Sequence, residues 1–431
     1  MDSVSSFEAL VICLFPAFTS PTAATFKTLV GCWVQCLGRP TIYRLLASTA
    51  EATKSSSTYA RFFRYARWAM DVLSRLLIVE VLVPWFAKVG KLLFMCDDTT
   101  CDKHGKRVAF ASLFRDALRS LPNSTVFVWA HCWVVMTMTI RFPLWPRPIH
   151  FPVMLRLYRK KCDCDAKHPF RTKQQLALEM ITIIAQWLAD RKIVLVADGA
   201  YPCEELVGKR PENVEFVSRM QSNAALHGQL RVRSKHGRGR PRQKGRRLPT
   251  PKQMAQQVRH WRKIKVWAYG QKRRVEVHSR RVLWWSVAKA RPVLLVITRG
   301  LREDGIPQFF FTTDLTATEC EVIETFAARY GIEEVFRDGK QLFGFGEVQG
   351  WTPRAVERQA PFALLVMSLV KAWYLHEVAL VSKPEQLPPT SFMLLTLRMA
   401  YWEKRITELS LSGRQKSKII RAIYNALAAA G

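Results

Sequence analysis

At 431 residues and 49% hydrophobic content, the chain buries a sizeable core in two or three domains, which excludes a disordered tail or a disulfide-stapled miniprotein. Its 66 Lys and Arg against 34 Asp and Glu leave a formal net charge of +32, a self-repulsion that a polyanion relieves, so nucleic acid is the expected partner. The cations run through 159–281 and recur to the C-terminus; a peripheral membrane protein confines its charge to one helix or tail.

Residues 1–88 read as a helical domain, with helices over 26–35, 42–50 and 59–85 from apolar spacings of three and four. The turn Gly38-Arg39-Pro40-Thr41 before Tyr43 and Arg44 suits either the entry to a groove-reading helix at a DNA end or an ordinary packed helix corner. No positively charged segment precedes the first apolar stretch, so a signal peptide is not expected.

From Lys91 the texture changes to short buried strands. A strand over 92–96 ends in Asp97-Asp98-Thr99, strands follow over 108–112 and 125–140, and 193–197 ends in Asp198-Gly199, with a helix over 172–189 between. The apolar run 125–140 is shorter than the roughly 18 to 20 residues of a membrane-spanning helix. Residues 89–225 thus form the first part of an α/β core. Residues 226–300 are basic and read as a β-rich insertion, with strands over 264–267, 274–278, 282–285 and 293–298. The core resumes over 301–378 with a strand at 309–313, a helix from Thr316 or Thr318 past Lys340, and another over 360–376. The last segment, 379–431, is helical and basic.

The ten cysteines show no framework or zinc-ribbon spacing and are expected to be reduced. Cys162, Cys164 and His168 lie close in sequence, but one intervening residue is too few for paired thiolates on structural zinc. No phosphate-binding loop, dinucleotide fingerprint or HExxH motif occurs, so neither a nucleotide cofactor nor zinc is expected.

The chemistry concentrates around residue 333. On a helix at about 100° per residue, Arg329, Glu333 and Lys340 fall within about 40° of one another, a carboxylate between two cations, while Ile332, Val335 and Phe336 anchor the helix. Alone this is also the pattern of a solvated salt-bridge face. Asp97 and Asp198, each following a buried strand, belong on the rim where α/β sheets carry their chemistry. Three carboxylates without His or Cys suit a hard divalent cation, Mg²⁺ with Mn²⁺ able to substitute.

The run Phe326-Ala-Ala-Arg329-Tyr-Gly-Ile-Glu333-Glu-Val-Phe-Arg-Asp-Gly-Lys340 resembles the signature of insertion-sequence DDE transposases, in which Tyr, two residues, Arg, three residues, Glu, six residues and Lys recur; Phe326 replaces the Tyr. The resemblance extends to Asp97-Asp98-Thr99, to Val196-Ala-Asp198-Gly-Ala-Tyr201 and to Phe311-Thr-Thr-Asp314-Leu. It implies an α/β, ribonuclease-H-like mixed sheet with a β-rich insertion between the second Asp and the Glu. It further implies Asp97, Asp198 and Glu333 as catalytic metal ligands, Arg329 and Lys340 as DNA-phosphate contacts, and cleavage and joining of double-stranded DNA at element ends and target by a homodimer. Asp97 is preferred because the family's Asp stands two residues before Thr or Ser; Asp98 remains open. Glu333 alone keeps both spacings, to Arg329 and Lys340.

Arg231 to Arg247 is free of acids and contains Arg238-Gly-Arg-Pro-Arg242, similar to a minor-groove hook peptide; Arg238, Arg240 and Arg242 are expected on DNA phosphate, with minor-groove reading as an addition. Trp261, Trp267, Trp284 and Trp285 suit base stacking or the core of the β insertion, with at least two expected in the core. The resulting expectation is a cytoplasmic, nucleoid-associated transposase. Its rivals are an inactive DNA-binding derivative and a basic RNA-associated structural protein.

Overall fold

The computed structural model describes residues 2–49, 51–116, 119–121, 123–166, 168–229, 243–409 and 412–430. Its hub is strand β1 (Leu92–Asp102), joined by β2 (Ser112–Arg115), β3 (Phe127–Ile140), β4 (Ile149–Tyr158), β5 (Ile193–Ala197) and β6 (Val214–Arg219). β1 pairs antiparallel with β3 and β3 antiparallel with β4, whereas β1 and β5, and then β5 and β6, pair in parallel. The order β4-β3-β1-β5-β6, crossed between β4 and β5 by the helix Lys173–Trp187, is the ribonuclease-H-like mixed sheet expected from the sequence. In β3 every residue from Ala130 to Ile140 is buried, because helices cover both faces of the sheet and leave no solvent face to impose alternation. The crossover helix starts where the sequence signals it: Thr172 and Gln175 form a reciprocal capping box.

The β-rich insertion continues this sheet. β7 (Leu226–His227), β8 (Arg262–Ala268), β9 (Gln271–Trp284), β10 (Val293–Arg299) and β11 (Gln308–Thr312) follow. β11 lies antiparallel on the free edge of β6, and β10 and then β9 add outward. β9 is one strand where the sequence suggests two, over 274–278 and 282–285. β8 and β9 are joined by Tyr269-Gly270, both at positive φ, 53° and 81°, as a two-residue hairpin turn matching the strand twist demands. Of the four tryptophans, Trp284 is buried; Trp261 is partly buried against the core, with the Arg299 guanidinium 4.2 Å from its ring.

The N-terminal helices Ser3–Ile12, Ser20–Gln35 and Ser56–Arg64 pack on the apolar helix Pro353–Trp373. The helix expected over 59–85 is broken: Tyr65 leaves helical geometry at φ −127°, and Met70–Leu76 resumes it before a wider turn over Leu77–Leu82. A continuous core runs from Val4 through Phe94, Ile181 and Leu365 to Tyr401. The stretch Pro353–Ser382 is long and apolar enough to cross a membrane by composition, with 72% of its most apolar window buried inside the fold. On the other face of the sheet a second cluster gathers Met95, Val196, Phe310, Ile323, Phe326 and Ile332, and this face carries the candidate site.

Candidate active site

Successive residues of a strand face opposite sides, so the pair Asp97-Asp98 must split. Met95 belongs to the second cluster and Cys96 to the main core, which puts Asp97 and Thr99 on the second-cluster face and Asp98 on the reverse. The parallel register pairs Met95 with Val196 and Cys96 with Ala197, and Asp97 and Asp198 are the next residue along each chain segment. Contrary to the expectation of a strand ending at residue 96, β1 continues to Asp102 against β3. Asp97 therefore sits inside β1, at the point where the parallel pairing to β5 stops.

Arg329 joins the two carboxylates. Its Nη1 donates to Asp97 Oδ2 at 2.5 Å and its Nη2 lies 3.5 Å from Asp198 Oδ1. Burial pushes the Asp97 carboxyl up to about 6, and the Arg329 guanidinium offsets only part of that rise. The Asp97 side chain also accepts the Asp98 N–H at 2.9 Å. Arg329 is itself held beside the Phe326 ring, 5.6 Å from its centroid, and Phe326 packs on Phe310; the ring thus fills a core position although it lacks the hydroxyl of the family signature. The Nε of Arg329 is buried without a hydrogen-bond partner.

The single helix expected from residue 316 or 318 past Lys340 is two. Glu319–Ala328, capped by the Thr318–Glu321 box, is followed after Arg329 and Tyr330 by Gly331–Leu342. Through the junction the hydrogen bonds tighten to three-residue spacing: Arg329 N to Phe326 O, Ile332 N to Arg329 O and Glu333 N to Tyr330 O at 3.0, 2.9 and 3.1 Å. A tighter turn advances about 120° per residue instead of about 100°, so the stripe shared by Arg329 and Glu333 on a uniform helix is pulled apart. Arg329 reaches the aspartates and Glu333 is exposed. Ile332 and Val335 are buried as expected. Further along the same helix, Lys340 Nζ donates to Thr99 Oγ1 at 2.9 Å, two residues beyond Asp97 on the same face of β1. Glu333 stands two turns before Lys340, within about 20° of its direction.

The structure thus brings Asp97, Asp198, Arg329 and Lys340 to one face; Glu333 is exposed on the helix that carries Lys340. Among the described residues no three His, Cys, Asp or Glu side chains gather closely enough to hold a metal ion, so the expected convergence of three carboxylates is present for the two aspartates alone. Those two fit a hard cation in their chemistry: oxygen donors in one strand and directly after its parallel neighbour, one of them half-buried, facing a positive charge that Arg329 supplies here. Asp98 is engaged elsewhere, by Lys173 Nζ at 2.5 Å and the Tyr201 hydroxyl at 3.1 Å. Asp314 is ion-paired to Lys91 at 2.8 Å and caps Thr316. Arg238, Arg240 and Arg242 lie outside the described residues.

Sequence reasoning passed over Arg219 at the end of β6. Its guanidinium lies 5.4 Å from the Phe326 ring, and its Cβ lies 3.3 Å from where a side chain at Gly199 would begin. The signal was available, since Val-Glu-Phe-Val-Ser-Arg219 is a third buried strand ending in a charge.

The sequence model described as DDE superfamily endonuclease matches residues 13–284, well over half of the chain; the match contains Asp97 and Asp198 and ends before Glu333. No curated protein matches the chain. Among solved structures, a piggyBac transposase synaptic complex with hairpin DNA, determined by cryo-electron microscopy, is similar at 11% identity and a TM-score of 0.41, over 97% of this chain and 81% of that one.

Proposed function

The chain belongs to the DDE superfamily endonuclease family, and from that premise we propose that it is a DDE transposase that cuts double-stranded DNA at the ends of a mobile element and joins them to a target. The observation that carries this reading is the pair Asp97, inside β1, and Asp198, directly after the parallel strand β5, both facing one cationic group. Asp97 and Asp198 hold the divalent cation, Mg²⁺ or Mn²⁺, and Glu333 contributes the third carboxylate from the helix margin. Bound there, two such ions activate the attacking oxygen and stabilise the leaving oxygen of a phosphodiester.

The chain's own groups do the rest. Arg329 balances the paired aspartates, with Nη1 on Asp97 and Nη2 toward Asp198, and its positive charge beside them favours a DNA phosphate at this face. Lys340, which forms no ion pair among the described residues, supplies a second cation along the same face. The reaction is hydrolysis followed by transesterification, driven by positioning and charge neutralisation without a covalent enzyme intermediate. A homodimer on DNA and a nucleoid-associated, cytoplasmic location complete the proposal. The net charge of +32 supports DNA as the partner through phosphate neutralisation.

The test is divalent-metal-dependent cleavage of a DNA carrying the element's terminal repeats. Asp97→Asn, Asp198→Asn and Glu333→Gln are each expected to lower the cleavage rate by about 100-fold or more while leaving DNA affinity near that of the parent. Normal cutting by all three variants would exclude the assignment. A parent protein that binds the ends without cutting under any metal would favour an inactive, transposase-derived DNA-binding protein.

A further inference from the structure

We propose that Asp98, Lys173 and Tyr201 form a positioning cluster on the reverse face of β1 that fixes Asp198 opposite Asp97. The inference rests on the reading of Asp97 and Asp198 as cation ligands and assigns the residues that set their spacing.

Asp198 is poorly held by its own side chain. Its carboxylate is 42% exposed, and its ion contact to Arg329 is long at 3.5 Å. Its place must therefore be set through its backbone, which leaves β5 in the turn Asp198-Gly199-Ala200-Tyr201, closed by the Tyr201 N–H on Asp198 O at 3.0 Å. Gly199 suits this turn because a side chain there would begin 3.3 Å from Arg219 Cβ. Tyr201 is 2% exposed, and its hydroxyl crosses behind the site to donate to Asp98 Oδ1 at 3.1 Å. The other Asp98 oxygen takes Lys173 Nζ at 2.5 Å, from the first residue of the crossover helix. The next residue of that helix, Gln174, donates its side-chain amide to Ala200 O at 3.0 Å.

The last two residues of the Asp198 turn are thus pinned, Ala200 to the helix start and Tyr201 to Asp98. Asp98 in turn is the chain neighbour of Asp97. A short covalent and hydrogen-bonded path, Asp97 to Asp98 to the Tyr201 hydroxyl to the Asp198 turn, passes behind the sheet and fixes the distance between two carboxylates in front of it. A cation shared by two carboxylates responds to that distance, and groups that orient ligands in this way typically change metal affinity by about 10- to 100-fold when removed. The same contacts explain the division of labour between the adjacent acids: both oxygens of Asp98 are already engaged on the side away from Arg329.

The experiment uses the full chain and two readouts. Mn²⁺ binding is followed by electron paramagnetic resonance without DNA, and cleavage of terminal-repeat DNA is followed across a Mg²⁺ titration. Tyr201→Phe keeps the ring and deletes the tether. It is expected to raise the Mn²⁺ concentration for half-occupancy and the Mg²⁺ concentration for half-maximal cleavage about tenfold, with DNA affinity unchanged and the rate recovering at saturating metal. Lys173→Ala tests the same link from a side chain that is one-third exposed, outside the packed core, and is expected to shift both titrations in the same direction. Asp98→Asn, which keeps an acceptor for Tyr201, is expected to bind Mn²⁺ more weakly than the parent and more strongly than Asp97→Asn. Unchanged metal titrations in both Tyr201→Phe and Lys173→Ala would overturn the proposal. So would loss of Mn²⁺ binding in Asp98→Asn as complete as in Asp97→Asn, which would make Asp98 a ligand itself. If the parent binds no Mn²⁺, or Asp97→Asn binds it equally well, the ligand reading fails first and this inference falls with it.

Discussion

Asp97 and Asp98 have the same side chain one residue apart, and strand alternation gives them opposite environments. Asp97 is desolvated against one guanidinium, and Asp98 is taken up by an ammonium and a phenol. Because Arg329 lowers the Asp97 carboxyl against the larger effect of burial, Arg329→Ala is expected to move the Asp97 titration upward from about 6, read by carboxyl carbon resonances of Asp-labelled protein; a downward move would show that the guanidinium does not face it. Two histidines carry the opposite sign. Burial holds the imidazole of His150 down to about 3 and that of His131 to about 4, so both are neutral in the fold and charge readily only in the unfolded chain. Their contribution is complete above about 6.5 and is lost as pH falls, at up to about 1.4 kcal/mol per pH unit for each. Asp97 works the other way between about 4 and 6, since the folded state there holds a proton that the unfolded chain releases, and it offsets one of the two. Acid unfolding is therefore expected to begin just below pH 6.5. Replacing His150 by Gln should flatten the stability curve by about one proton's slope, and an unchanged slope in denaturant titrations would contradict the neutral form.

The junction between the helices Glu319–Ala328 and Gly331–Leu342 decides which acidic and basic side chains meet. Gly331 opens the second helix directly over His150: a Cβ at this position would stand 2.0 Å from His150 Nε2, and His150 is itself fixed by Thr139 Oγ1 at 2.9 Å. The glycine is thus required by a close approach, its φ being ordinary. Gly331→Ala is expected to destabilise the protein by about 1 to 3 kcal/mol through overpacking. Combining it with His150→Ala should cost less than the sum of the two single changes, as a double-mutant cycle of unfolding free energies would record. Additive costs would mean that the two residues do not touch. At the start of the first helix, Thr318 accepts the Glu321 N–H at 3.2 Å while Glu321 returns to the Thr318 N–H at 2.8 Å. Thr318→Ala should therefore cost about 1 kcal/mol and move the Arg329 junction little, since the cap lies nearly three turns away.

At the scale of the molecule, a charge of +32 makes affinity for DNA steeply dependent on salt. Replacing Arg238, Arg240 and Arg242 together by Ala is expected to weaken binding to all duplexes and to reduce the slope of log affinity against log salt by up to about three, near one per lost phosphate contact. A loss restricted to A·T-rich DNA would instead assign the segment to minor-groove reading, and an unchanged slope would remove it from the interface. The sequence by itself determined the α/β class, the start of the crossover helix at Thr172, the strands that lead into Asp97 and Asp198 and the anchoring of the Glu333 helix by Ile332 and Val335, because these depend on local periodicity and capping. Its signature run also singled out Arg329 and Lys340 before either had a partner. Only the tertiary structure decided that Asp97 and not Asp98 faces Arg329, that the β insertion joins the core sheet through β11 on the edge of β6, and that the helical stripe breaks at Arg329 and leaves Glu333 exposed. Those outcomes depend on strand register, on which edge is free and on the space His150 leaves beneath Gly331, contacts between residues far apart in the chain that no local pattern encodes.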